Sequence, residues 1–507
     1  MSSFITALCR HIMSLSIFSK HPLVVCLISG VFFGMSWPGI GFWPFALLCP
    51  GILLLCLVNL DKQICFLSSA VFFTSAWTVA FHWNALHPNT VTALSSVVAL
   101  LTMISIQSGL IALFSSPVRK ISPLTAALCG VLGIAVWDWI MLHGPLAMPG
   151  TMLGLSVSDS ILADEWVPLV GSYGLTLIVL AFNLGWVIAL RSVKHRSWGL
   201  ALLVVLALFP LSWSPELSAP SEVISITAIQ PGMSPTEWAE VTSTTKESTL
   251  FAMLDSAKTA FAQTQLFVLP ETSLPISSSL DIQGIVKNWS DSLGASVISG
   301  AIVFDSIGTF YNSAVASSGS GQFSEYHKRR LVPFVETVPL ARFLPFSEKF
   351  RLESGGVSSY GAGTEWALLN LGQFKVGLLI CFESFFPSDA AYLRSIGANL
   401  LVVITQDGWW QSETARLQHE AYTRLLALAA GLPVVQSSVD GVSAIWNANG
   451  TLMAKGQTNG YEMIHADLSL QSLTTQYSKT GDYPSNVLLS ILLMVYLGFI
   501  IRIHFFL

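Results

Sequence analysis

Lys375-Val-Gly-Leu-Leu-Ile380-Cys381-Phe-Glu383-Ser384 is an apolar run that ends on a thiol. The run reads as a strand over 376–380. A thiol at a strand terminus, in a domain that also carries acids and bases, is a candidate nucleophile. Cys381 is the one cysteine in the polar part of the chain, so that part holds no internal disulfide. Cys9, Cys26, Cys49, Cys56, Cys65 and Cys129 all fall in the very hydrophobic first part, where a small polarizable side chain packs without any chemical role. Outward from 376–380, further strands are expected at 223–229, 266–269, 296–304, 312–316, 400–405, 434–437 and 443–446. Between them Leu250, Leu254, Ala257 and Phe261 recur at helical spacing, as do Leu417, Tyr422, Leu425 and Leu428 before a terminating Gly431. This alternation is the pattern of an α/β domain of layered sheet and helix.

The rest of the chain is too apolar for a soluble enzyme: of 507 residues, 52% are hydrophobic and only 10% charged. Read against a span of about 20 residues, the apolar runs give candidate spans at 22–37, 40–60, 63–81, 91–114, 124–142, 168–190, 198–213 and 485–501. Lys62, Arg119, Lys120, Arg191, Lys194, Arg196 and Arg502 occupy one set of loops, while the alternate loops, 38–39, 82–90 and 143–167, have no lysine or arginine. The positive side is cytoplasmic, and an odd number of spans then places the polar region outside. The expected organisation is a membrane domain over 1–219 with about seven transmembrane helices, an extracytoplasmic domain over 220–483 and a C-terminal transmembrane helix over 484–507. The apolar stretch 5–18, interrupted by Arg10 and His11, reads as a cytoplasmic or interfacial lead-in rather than a signal segment. Asp138 lies within a span, where an ionisable group is costly, and is a functional candidate on that ground.

Three stretches are out of place as structure alone. Phe267-Val-Leu-Pro-Glu271 puts a carboxylate just after an apolar strand, the right place for a general base. Tyr326-His-Lys328-Arg-Arg-Leu-Val-Pro-Phe-Val-Glu336 is a basic run followed by a proline and an acid, and Arg329 and Arg330 are candidate phosphate contacts. Cys381-Phe-Glu383 completes the set. A thiol is mostly protonated near neutrality; a carboxylate can take its proton, and an ammonium can stabilise the oxyanion of a tetrahedral intermediate. Balanced charge, 24 basic against 29 acidic residues, argues against nucleic acid. His82, His87 and His143 are too dispersed for metal-ligand spacing, so neither metal nor cofactor is expected.

With these motifs, the eight-span layout, Trp37-Pro, Phe42-Trp-Pro, Gly171-Ser-Tyr-Gly174 and Lys479-Thr-Gly-Asp-Tyr-Pro484, the chain resembles the apolipoprotein N-acyltransferases, membrane enzymes with a nitrilase-superfamily domain. The resemblance implies a multi-span α-helical membrane domain plus an extracytoplasmic nitrilase-like α-β-β-α sandwich. It implies Glu271 as general base, Lys328 as oxyanion holder and Cys381 as nucleophile, with Glu336 and Glu383 as supporting acids and Trp238 at a lipid-binding mouth. The chain departs from the family pattern at Val335 (glycine there), Phe382 (tyrosine), Ala429 (glutamate), Gln436 (arginine), Leu426 (arginine) and Asp440 (asparagine). These departures bear on acceptor choice and efficiency more than on reaction class.

What the resemblance implies for activity is a ping-pong transfer. Cys381 takes an acyl chain from a membrane phospholipid, phosphatidylethanolamine, as a thioester and passes it to the α-amine of a diacylglyceryl-cysteine lipoprotein. A monomer is implied, in the cell inner membrane, with its catalytic domain on the periplasmic side. Moving acyl chains into water is opposed by about 0.8 kcal/mol per methylene, so the site is expected to open toward the outer leaflet, with Phe343, Leu344, Pro345 and Phe346 as a lid. Two alternatives stay open: a membrane-tethered nitrilase-type amidase in which water replaces the amine, and a catalytically idle paralogue that binds lipid or lipoprotein.

Overall fold

The computed structural model describes residues 18, 20–57, 61–87, 89–213, 215–218, 222–339, 341, 343 and 359–506, and among these the apolar first part forms seven α-helices. They are α1 (Pro22–Gly34), α2 (Cys49–Leu57), α3 (Lys62–Ala80), α4 (Thr90–Ser115), α5 (Pro123–Leu142), α6 (Ile161–Arg191) and α7 (Arg196–Leu208). Their starts follow from the sequence. Asp61, Asn89 and Ser122 each accept a backbone N–H of the first turn of α3, α4 and α5, satisfying a group the helix itself leaves unpaired. The expected span at 40–60 is instead a 3₁₀ turn, Trp43–Leu47, followed by the short α2. Pro44 and Pro50 each sit in a first helical turn, the position a ring without an N–H tolerates, and so open new segments. The sixth helix starts well before the expected 168, and its backbone turns left-handed at Gly171, against which the Tyr477 ring packs so closely that a Cβ would overlap it.

Among the described residues, α3, α4, α5, α6 and a final helix are long and apolar enough to cross a membrane, while α1, α7 and the 43–57 pair are shorter. The stretch 5–17 of the expected lead-in lies outside the described residues. Asp138 is buried at the centre of this bundle. Its Oδ2 accepts the Leu153 amide at 2.7 Å and the Thr176 hydroxyl at 2.9 Å, which ties the buried 3₁₀ turn Leu153–Val157 to α5 and α6.

Among the described residues, the second part contains two large sheets and a small two-stranded one that pairs Glu216–Leu217 with Leu473–Thr474. In chain order the strands and helices are β1 (Val223–Gln230), α8 (Ser243–Ala260), β2 (Leu266–Val268), β3 (Leu274–Ser278), α9 (Ser279–Leu293), β4 (Ser296–Phe304), β5 (Phe310–Ser317), β6 (Phe323–His327), β7 (Leu368–Leu371), β8 (Phe374–Ile380), α10 (Pro387–Ser395), β9 (Leu400–Thr405), α11 (Glu413–Ala430), β10 (Val434–Ser438), β11 (Ala444–Trp446), β12 (Leu452–Lys455) and β13 (Glu462–Ser469). The final helix, α12, spans Tyr483–Phe506. One sheet has the order β12-β11-β10-β9-β8-β7, and the other β13-β1-β2-β4-β5-β6 with β3 beside β4. Strands β8, β9 and β10 run parallel, as do β1, β2 and β4.

Alternation along β8 explains the layering. Val376, Leu378 and Ile380 point into a core shared with Ile226, Ala228, Val268 and Ile298 of the opposite sheet. Leu379, one register away, packs outward with Leu393 of α10 and Leu426 and Ala427 of α11. On the other flank, Leu250 and Leu254 of α8 and Ile282, Val286 and Trp289 of α9 cover Phe267 and Val297. Helices therefore sandwich two face-to-face sheets, a nitrilase-like α-β-β-α arrangement. The apolar run is buried on both faces because it lies in an inner layer, between the opposite sheet and the helices α10 and α11.

Helix α11 also joins this sandwich to the membrane domain. Gln418 donates to the Ala80 carbonyl and accepts the Trp83 indole N–H, Tyr422 reaches the Gly150 carbonyl, and Arg424 pairs with Asp164.

Candidate active site

Strand β8 delivers Cys381 to the rim of the sheet, where the chain turns at once into the 3₁₀ segment Cys381–Phe385. The turn forces Cys381 into φ +49°, a left-handed conformation. For a residue with a Cβ this costs on the order of 1–3 kcal/mol and persists only when the surroundings hold it. Among the described residues, the other non-glycine positions with positive φ are Thr272, directly after Glu271, and Phe334, two before Glu336. All three strained positions thus border the candidate site.

Glu271 follows β2 on a loop that presses against β4. Gly300 makes this approach feasible, since a Cβ there would lie 2.5 Å from the Glu271 Cα. Lys328 leaves the end of β6 and points inward, with 1% of its side chain exposed. Its Nζ lies 2.9 Å from Glu336 Oε1 and 3.5 Å from Glu271 Oε1. Asn312 of β5 donates to both carboxylates, at 2.7 Å to Glu271 and 3.1 Å to Glu336. The second Glu336 oxygen accepts the Val332 amide at 2.8 Å, which closes the loop that carries it. The Cys381 thiol, partly exposed, lies beside the Thr405 hydroxyl and within the fields of Glu271 and Lys328.

The electrostatics follow from two carboxylates around one ammonium in a dry site. Burial pushes the Glu271 carboxyl above the ordinary glutamate range, Lys328 pulls it down, and Glu336 pushes it up again. Burial works against the Lys328 charge, but Glu336 and then Glu271 more than offset it and hold the ammonium charged. Burial, then the negative Glu271, raises the Cys381 thiol, so at rest the sulfur keeps its proton.

The remaining candidates occupy distinct places. Glu383 is fully buried beneath the Cys381 turn. It accepts the Tyr326 hydroxyl and the Arg329 and Arg330 amides on one oxygen and the Ile380 amide on the other. This joins the exit of β6, next to Lys328, to the residue before Cys381. Burial pushes its carboxyl up to about 7 in spite of these donors. Trp238 is 4% exposed, and its indole N–H donates to the Thr272 carbonyl beside Glu271. Arg330 is paired through two nitrogens with Asp389, and Arg329 stacks over Trp366 at 4.2 Å. Arg330 is thus already satisfied by protein. Of the expected lid, Phe343 is 77% exposed, and Leu344, Pro345 and Phe346 lie outside the described residues.

Phe382 packs against Phe385 and Phe386; Gln436 donates to the Val442 carbonyl; Asp440 pairs with Arg416. Asn312 was not among the sequence candidates. Its signal is a buried amide in the middle of an otherwise small-residue strand, which periodicity does not mark.

Two family models match this chain: an apolipoprotein N-acyltransferase N-terminal domain over residues 29–185 and a carbon-nitrogen hydrolase over residues 226–477. The chain is similar to the apolipoprotein N-acyltransferase of Chlorobaculum tepidum, 23% identical over 94% of this chain and 96% of that one. It is likewise similar to that of Geobacter metallireducens, 24% identical over 91% and 92% of the two. The chain belongs to the apolipoprotein N-acyltransferase family. As an apolipoprotein N-acyltransferase family member it is an acyltransferase and membrane-bound, which agrees with its long apolar helices. A solved carbon-nitrogen hydrolase from Helicobacter pylori G27 aligns with 49% of this chain and 89% of its own, at 18% identity and a TM-score of 0.39.

Proposed function

We propose that this acyltransferase moves an acyl chain from a membrane phospholipid to the N-terminal amine of a diacylglyceryl-cysteine lipoprotein through a Cys381 thioester. The observation that carries this reading is the buried cluster of Glu271, Lys328 and Glu336 beside the strained Cys381. Because the thiol rests protonated, attack requires a base at the moment of bond formation. Glu271 takes the proton as sulfur bonds to the ester carbonyl carbon, and the charge that develops on the carbonyl oxygen is met by the Lys328 ammonium. The carbon–oxygen bond then breaks, Glu271 returns the proton to the leaving alkoxide, and a lysophospholipid departs. In the second half, the neutral amine attacks the thioester, the carbon–sulfur bond breaks, and the amine's proton passes through Glu271 to the sulfur.

Glu336 keeps Lys328 aligned, and Asn312, donating to both carboxylates, bridges them. Phosphatidylethanolamine is our proposed donor, the working unit a monomer, and the site periplasmic at the inner membrane, as the loop charges favour. Intact-mass analysis of the full chain after incubation with phosphatidylethanolamine tests this. The expected result is a gain of one acyl group, absent in Cys381→Ala and discharged by a diacylated lipopeptide. Discharge by water at the same rate would convert the reading to an amidase, and absence of any adduct would overturn it.

A further inference from the structure

A ring of buried side chains, open at the sulfur, starts from the backbone of Cys381 and ends at Thr405. The Ser384 hydroxyl donates to the Cys381 carbonyl at 2.7 Å and lies 2.7 Å from His419 Nε2. His419 Nδ1 lies 2.7 Å from Asp407 Oδ1. That oxygen also accepts the Thr405 hydroxyl at 2.8 Å, while Asp407 Oδ2 accepts Ser438. Thr405 in turn adjoins the Cys381 thiol. Ser384, His419, Asp407 and Thr405 are each at most 1% exposed.

His419 is thus held at both ring nitrogens, by Ser384 and by Asp407, and its ring stacks on Phe385 at 5.1 Å. We propose that His419, through Ser384 and Asp407, is a positioning residue that holds Cys381 in its left-handed turn with the sulfur aimed at Glu271 and Lys328. His419 touches no reacting atom in the transfer. The inference rests on the reading of Cys381 as nucleophile.

The test uses the full chain and two variants, His419→Leu, which cuts the ring, and His419→Gln, which keeps an N–H toward Ser384. Acyl-enzyme formation is measured against phosphatidylethanolamine concentration, with iodoacetamide alkylation of Cys381, followed at its own peptide, as a lipid-free readout, and Tm as a control. In His419→Leu we expect the maximal acylation rate to fall about 100-fold, the scale of a reacting group misplaced by about 1 Å, with the half-saturating lipid concentration unchanged and alkylation of Cys381 altered. His419→Gln should recover about tenfold of the loss at a similar Tm. Wild-type rates in His419→Leu, or equal losses in both variants that track Tm, would overturn the proposal. If His419→Leu does not fold, Ser384→Ala decides, since a wild-type rate there also overturns it. Failure of the wild type to form an adduct, or an adduct in Cys381→Ala, would instead defeat the nucleophile assignment, and the alkylation readout separates the two.

Discussion

Lys328 and Glu336 are joined by a 2.9 Å ion pair with 1% and 9% of their side chains exposed. A pair this dry is costly to break from one side, because the partner left behind is a buried charge. Glu336→Ala is expected to destabilise the chain by about 3–5 kcal/mol, read as a fall in Tm. A Tm equal to wild type would show that the pair does not hold this loop.

Glu336→Gln tests the pH behaviour with less disturbance. Glu271 must be ionised to accept the thiol proton, and its carboxyl is held above the ordinary value of about 4.3. Activity should therefore fall as pH drops through this raised value. Glu336 is one of the charges that raises it, so its neutral amide lets Glu271 ionise at lower pH. The acid limb of kcat/KM is expected to move to lower pH in Glu336→Gln; a limb that stays in place or moves up would count against Glu271 as the base.

Gly300→Ala places a Cβ 2.5 Å from Glu271 Cα, Pro270 O and Thr272 N. Backbone atoms cannot swing aside as a side-chain tip can, so the Glu271 loop must shift. We expect a cost of about 1–3 kcal/mol and a loss of kcat of about 100-fold with the phospholipid KM little changed. Full activity in Gly300→Ala would mean that the position of Glu271 is not critical.

Glu383→Ala strands three backbone amides and the Tyr326 hydroxyl beneath the Cys381 turn. At about 1–3 kcal/mol for each buried unpaired donor, a loss above about 3 kcal/mol is expected, measured by thermal unfolding in detergent. A stable but inactive Glu383→Ala would point instead to direct chemistry at this carboxyl.

Asp138→Ala removes the acceptor for Leu153 and Thr176 inside the helical bundle. The expected outcome is lower thermal stability with Cys381 acylation still measurable at reduced temperature. Loss of acylation at unchanged Tm would give Asp138 a functional part that its hydrogen bonds do not explain.

The nucleophile strand was legible because 376–380 is an unbroken apolar run ending at a residue of different chemistry, and α11 because Leu425 and Leu428 keep helical spacing up to Gly431. Glu271, Lys328, Glu336 and Glu383 stood out as charges at element ends. Helix α9 escaped notice although Ile282, Val286, Trp289 and Leu293 line one face, because the polar 277–279 stretch before it reads as a loop. Strand β13 is hard to read although buried Ile464, Ala466 and Leu468 alternate with His465, Asp467 and Ser469, because its polar face leaves only half the run apolar. Asp407 and His419 lie 12 positions apart, one on a loop and one on a helix, and only the stacking of α11 on β9 brings them together. Asn312 bridges acids 41 and 24 positions away, a relation that no local pattern encodes.

Helix α11 carries both the histidine that reaches Ser384 beside Cys381 and the Gln418, Tyr422 and Arg424 contacts to the helical bundle. The two halves of this chain therefore share a structural member and do not meet as independent bodies joined by a tether. Excising the second half would leave Gln418, Tyr422 and Arg424 without their anchors, on the same helix that carries His419. The bilayer-embedded half is in this sense the chassis on which the Cys381 turn is mounted.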